Sequence, residues 1–113
     1  MIVNIEAIKK QYNMQGKVLK SMLELFVKSS EFDIALLKET ANKKDVEGIK
    51  KIAHKLKSGY GYMLLADLVS TCDEIKHVTD NQKTFESVQP ILTKLFELQK
   101  KVVIEIKENH LSK

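Results

Sequence analysis

DVEGIKKIAHKLKSGY, residues 45–60, is the stretch that decides the fold. Its apolar side chains fall at Val46, Ile49, Ile52, Ala53, Leu56 and Tyr60, the three- and four-residue spacing of one helix face. Asp45 stands where an N-cap belongs. On a wheel of about 100° per residue, His54 lies on the opposite side. Glu47, Lys50, Lys51, Lys57, Ser58 and Gly61 fall within about 60° of it. The helix therefore buries one face and carries a histidine, lysines and two small residues on the other.

Outward from this segment the periodicity stays helical. Upstream, Asn4 is a good N-cap for a short helix to about Tyr12, with Ile5 and Ile8 inward and a break at Asn13 and Gly16. The pattern then predicts one long helix from about Gln15 to about Lys43, with Ser29 and Ser30 as its one candidate break. Val18, Met22, Leu25, Phe26, Phe32, Leu36 and Thr40 form its expected core stripe, widened by Leu19, Leu23, Leu37 and Ala41. Downstream, a helix over about Leu64 to Thr79 turns Leu65, Leu68, Val69, Cys72 and Ile75 inward. The last helix ends near Asn109, with Ile91, Leu92, Leu95, Leu98, Val102 and Ile106 inward. Pro90 fits its first turn, where the missing N–H costs nothing, and a separate helical piece is expected around Thr84 to Val88. The fold class is all-α: an up-down-up-down four-helix bundle with a short additional N-terminal helix. With no linker, repeat or low-complexity stretch, residues 1–113 read as a single domain.

Composition agrees. Of 113 residues, 43% are hydrophobic, 30% are charged, 4 are glycine and 1 is proline, as in a helical globular domain. No apolar run approaches the roughly 20 residues of a membrane span, and MIVNIEAIKK is not a secretory signal. Cys72 is the only cysteine, which excludes an intrachain disulfide and suits a reducing cytoplasm. Every basic residue is lysine, and six of them lie between Lys43 and Lys57, so that segment alone accounts for the net charge of +4. A partner meeting this face should be acidic or phosphorylated.

Imidazole is the side chain that is both substantially neutral and nucleophilic near neutral pH. Ammonium groups beside it balance the charge of a phosphoryl group it accepts, and small residues at 58 and 61 leave room for a second protein. Periodicity alone leaves open a solvated lysine face with no function. AHKLKSG, residues 53–59, within AHKLKSGYGYMLLADLVSTCDEIK, resembles the signature of the histidine phosphotransfer (HPt) family: His, any residue, Leu, Lys, then a small residue, a turn and an apolar helix. Upstream, LELFVKSSEFDIALLKETANKKDVEGIKKIAHKLK is similar to that family's second helix and its link to the phosphoacceptor helix. The resemblance runs from about Ile5 to Ile106. It implies a bundle, a phosphoacceptor at His54, receiver domains as donor and recipient, and a hybrid histidine kinase as a further candidate partner. It also implies a phosphocarrier without kinase activity, in keeping with the absence of a Gly-rich phosphate loop. Lys57 and Ser58 are the expected catalytic companions of His54. Lys50, Lys51, Gly61 and Lys76 are the expected supporting or docking residues.

Three positions depart from the family pattern. Ser58 replaces a glycine, and its hydroxyl offers a bond to a phosphoryl oxygen. Leu64 stands where a glycine often makes the turn, so Gly59 and Gly61 are candidates to shift or replace that turn. Lys76 stands where a Gln or Glu often orients the imidazole. These departures keep a second reading in play: an adaptor that binds a receiver or kinase without carrying phosphate. Elsewhere, Glu74 and His77 make one Glu-x-x-His pair, short of the two pairs a di-iron bundle needs, so no metal or other cofactor is expected. His110 is expected to be solvated. With no arginine, 6% aromatic residues and no recognised module, nucleic acid is not an expected partner. Nor is a membrane; a monomer, standing alone as a protein, is the expected form.

Overall fold

The computed structural model describes residues 2–82 and 84–111. These form α1 (Ile5–Tyr12), α2 (Gly16–Asn42), α3 (Val46–Tyr62), α4 (Ala66–Asn81) and α5 (Phe85–Ile106), followed by a π-helical turn (Lys107–Leu111). Each long helix packs on its neighbour in the chain, and α5 closes the ring against α2. The result is an all-α bundle of 44 × 22 × 20 Å.

Helix starts follow the capping residues. Asn4 accepts from the Ala7 N–H at 3.0 Å, Asp45 from the Gly48 N–H at 3.0 Å, and Thr84 from the Ser87 N–H at 3.3 Å. Gly48 keeps this second cap uncrowded, because a Cβ there would lie 2.5 Å from Asp45 Oδ2 and 2.7 Å from the Thr40 methyl, and those side chains would have to shift. The α2–α3 and α3–α4 turns share one geometry. Lys44 (φ 54°) and Leu64 (φ 58°) are left-handed. The next residue's N–H reaches back to the preceding helix, Asp45 to the Thr40 carbonyl at 3.2 Å and Leu65 to the Tyr60 carbonyl at 2.9 Å. The turn is therefore not shifted onto Gly59 or Gly61, which lie within α3. Leu64 makes it, because the paired backbone bonds and the buried Leu65 fix its conformation.

α2 is one helix. Ser29 and Ser30 do not break it, since the buried Ser30 hydroxyl bonds the Val27 carbonyl of its own turn. Its inward face differs from the expected stripe. Leu19, Leu23, Phe26, Ile34 and Leu37 are buried, whereas Val18, Leu25, Phe32 and Leu36 are exposed by 61%, 67%, 68% and 41%. The apolar surface of α2 is wider than α3 and α5 cover, and the wheel does not say which part they choose. α5 is also one helix. Thr84 caps it a turn earlier than expected, Phe85 begins it, and Pro90 lies inside on the exposed side rather than in the first turn. The Glu86 carbonyl gives up its helical partner there. His110 is half-buried in the π-helical turn rather than solvated, with Nε2 shielded from solvent.

A buried polar chain crosses the core and fixes the rotation of α3. The fully buried Tyr60 hydroxyl donates to Gln99 Oε1 at 2.7 Å, and Gln99 Nε2 donates to Ser30 Oγ at 2.8 Å. Beside it, the buried carboxylate of Asp33 on α2 pairs with Lys55 of α3 at 2.9 Å. At the far end of α3, Tyr62 stacks on Tyr12 with centroids 4.2 Å apart, and the Tyr12 hydroxyl donates to the Tyr62 carbonyl at 2.6 Å. With Ile49, Ala53, Leu56 and Tyr60 thus turned inward, residue 54 faces out.

Candidate functional site

His54 is exposed near the middle of α3, at the edge of a cleft of about 390 Å³ between α3 and α4. Glu47, Lys50, Lys51 and Lys57 of α3 and Cys72, Asp73 and Lys76 of α4 complete the lining. Among the described residues, no hydrogen bond or ion pair engages the His54 ring. Four of the expected residues, Lys50, Lys51, Lys57 and Lys76, thus share a cleft with the imidazole. Ser58 and Gly61 are exposed on the next turn of α3, outside the cleft.

Most of these lysines are already paired. Lys57 Nζ lies 2.6 Å from Asp73 Oδ1. Lys50 donates to Asp80 Oδ1, and Lys76 Nζ lies 3.3 Å from Asp80 Oδ2. The hydrogen bond to Asp80 pushes the Lys50 pKa up. The same bond, with a second from Lys76, holds the Asp80 carboxyl below its ordinary range. Lys51 enters no ion pair among the described residues. Lys76, at the position where the family often has an orienting Gln or Glu, pairs with Asp80 and not with His54.

Cys72 forms the floor of the cleft. Burial, reinforced by the charge of Asp73 and opposed by Lys57, pushes its thiol up to about 12. It is a protonated, inert hydrophobe. Glu74 and His77 do not form a metal centre: Glu74 pairs with Lys94 at 3.1 Å and His77 contacts Asn81. No group of three potential metal ligands occurs among the described residues.

Asp73 and Asp80 are the site residues that reading α3 alone misses. The signal for them is on α4: residues 73, 76 and 80 are spaced by three and four, which puts both acids on the face of Lys76. Lys55, though adjacent to His54, belongs to Asp33 on the other side of the helix.

The arrangement is an open imidazole beside several ammonium groups, and among the described residues no carboxylate bonds the ring. It suits transient storage of an anionic group. A helical bundle with these features is a phosphocarrier scaffold. The family model described as Hpt domain matches residues 21–105, and the chain belongs to that family, whose members carry phosphoryl groups on histidine within phosphorelays. No curated protein and no solved structure matches the chain. No helix among the described residues is long and apolar enough to cross a membrane.

Proposed function

We propose that His54 accepts a phosphoryl group from the aspartyl phosphate of one receiver domain and passes it to the aspartate of another, in a multistep phosphorelay. The observation that carries this reading is the exposed His54 ring beside a cleft lined by four lysines. Within it, Lys57 and Lys76 are the ligands of the phosphoryl oxygens, and Lys50 and Lys51 attract the acidic receiver surface. Ser58 and Gly61 keep the approach to the imidazole open. The bundle acts as a monomeric carrier in the cytoplasm, without kinase activity of its own.

In the first transfer the imidazole's unprotonated nitrogen attacks phosphorus: a P–N bond forms as the P–O bond to the donor receiver breaks, and the electron pair leaves on that receiver's carboxylate. In the second the carboxylate of the next receiver attacks: a P–O bond forms as the P–N bond breaks, and the electron pair returns to the imidazole nitrogen. In-line transfer requires the reacting atoms to come within about 3–3.5 Å, which an exposed imidazole flanked by small residues allows.

The test is incubation with phosphorylated receiver domains. Acid-labile label is expected on the protein and absent from His54→Gln, which melts within ~0.5 kcal/mol of the parent because the side chain is exposed. Binding without labelling would refute the carrier reading in favour of an adaptor, and label surviving on His54→Gln would refute the assignment of His54.

A further inference from the structure

We infer that Asp73 and Asp80 are counter-ions that hold the lysines of the cleft while His54 is unmodified, and that Lys57 leaves Asp73 for the phosphoryl group when His54 accepts one. This inference rests on the phosphoacceptor reading of His54 and adds two positioning residues to it.

Three observations carry it. The lysines engaged by Asp73 and Asp80, namely Lys50, Lys57 and Lys76, line the same cleft as His54. Both acids lie on the face of α4 that meets α3, one at the level of Lys57 and one bridging Lys50 and Lys76. And both carboxylates are substantially exposed, Asp73 by 51% and Asp80 by 36%. Exposed ion pairs are weak and exchangeable, so each lysine is pre-placed but not locked.

Charge decides the direction of exchange. A phosphoryl group on nitrogen brings a charge of about −1.5 to −2 and three acceptor oxygens, by analogy with phosphorylated hydroxyls. A carboxylate brings a single charge and two oxygens. Once the group sits on His54, Lys57 gains more by turning to it than by staying with Asp73. When the group departs, the carboxylate takes the ammonium back. The acids therefore cost the phosphorylated state some stability and keep Lys50, Lys57 and Lys76 of the unmodified cleft from standing as bare cations. A site whose lysines were unpaired would hold phosphate longer, which is the wrong property for an intermediate carrier.

The test uses phosphoramidate as a small phosphodonor, so that no receiver is involved. Its P–N bond breaks as a new P–N bond forms to the imidazole. The old bond's electron pair leaves with ammonia, and the other imidazole N–H proton goes to solvent. Formation and decay of phosphohistidine are followed by ³¹P NMR in the parent, Asp73→Asn, Lys57→Met and the double variant. Glu97→Gln, on the α2–α5 side of the bundle, controls for net charge.

Asp73→Asn should speed formation or lengthen the phosphohistidine lifetime by about two- to fivefold, the span set by exposed ion pairs. Lys57→Met should do the reverse. The Asp73→Asn gain should vanish in the Lys57→Met background, and Glu97→Gln should change nothing. No gain in Asp73→Asn, or an equal gain with Lys57 absent, overturns the counter-ion role. Failure of the parent to form any phosphohistidine instead overturns the phosphoacceptor reading, and this inference with it.

Discussion

Tyr60→Phe isolates the contact that sets the rotation of α3. The Tyr60 hydroxyl is fully buried and gives its proton to Gln99 Oε1 at 2.7 Å, inside a core where Gln99 is only 4% exposed. Phenylalanine keeps the ring and its edge-on packing against Phe26 at 6.2 Å. The loss is therefore one neutral hydrogen bond plus the desolvation of an amide oxygen left without a donor, about 1–3 kcal/mol together. With an unfolding entropy of about 2.1 cal/mol/K per residue, a domain of this length loses roughly 4 °C of Tm per kcal/mol. Tyr60→Phe should accordingly melt about 4–12 °C below the parent. Gln99→Leu alone should also destabilise, since it strands the Tyr60 hydroxyl. The double variant should lose less than the sum, with a coupling of about 1 kcal/mol or more, because Ser30 still bonds the Val27 carbonyl. Thermal and urea melts of the four proteins complete the cycle. Additive losses, or a Tyr60→Phe cost below ~0.5 kcal/mol, would refute the claim that this chain of bonds fixes the face α3 presents.

Other outcomes follow from the same structure. Phe32→Ser should change stability by less than ~0.5 kcal/mol, because the ring is 68% exposed; a loss of several kcal/mol would return Phe32 to the core. Cys72 has its pKa raised from 9.0 to about 12 on folding, so the stability it supports is whole below pH 9.0 and is lost as pH rises towards 12. Urea melts above pH 9 should therefore flatten in Cys72→Ala relative to the parent, and a thiol reagent at pH 8 should leave the native thiol unmodified. Ser58→Leu should block transfer from a phosphorylated receiver yet leave labelling by phosphoramidate intact, since Ser58 lies outside the cleft; equal loss with both donors would put Ser58 in the chemistry instead. Lys57→Arg should slow the exchange in single-turnover assays, because a guanidinium forks onto Asp73 with two bonds where an ammonium makes one.

Much of the fold is legible in the chain because its punctuation is local. Asn4 and Asp45 each accept from a backbone N–H three residues on, and such caps depend on nothing distant. The inward face of α3 is legible for a similar reason: its apolar residues occupy one side only, so no choice arises. α2 poses a choice. Its apolar residues extend around more than half the helix, and whether Phe32 or Ile34 points inward depends on where α3 and α5 settle against it. Pro90 misleads in the opposite way. A proline is favoured in a first turn, yet Thr84 offers a better cap upstream, and the helix accepts one lost bond on its wet side.

The site divides along the same line. His54 and the lysines of α3 are fixed relative to one another by helical geometry, so the wheel finds them. Which cations are spoken for is a question about two helices, and no wheel of one helix answers it. Lys55 and Lys57 are two residues apart and equally basic, yet one serves a buried carboxylate of α2 and the other an exposed carboxylate of α4. The difference in burial is the difference in role. Removing Lys55 would strip a carboxyl that is only 4% exposed of its ion-pair partner, so that pair is held for the sake of the fold. Removing Lys57 would leave Asp73 in water, at little cost, so that pair is free to open. Exclusive use of lysine fits this arrangement: a flexible stem carrying a single point charge can change partners without breaking a two-pronged bond.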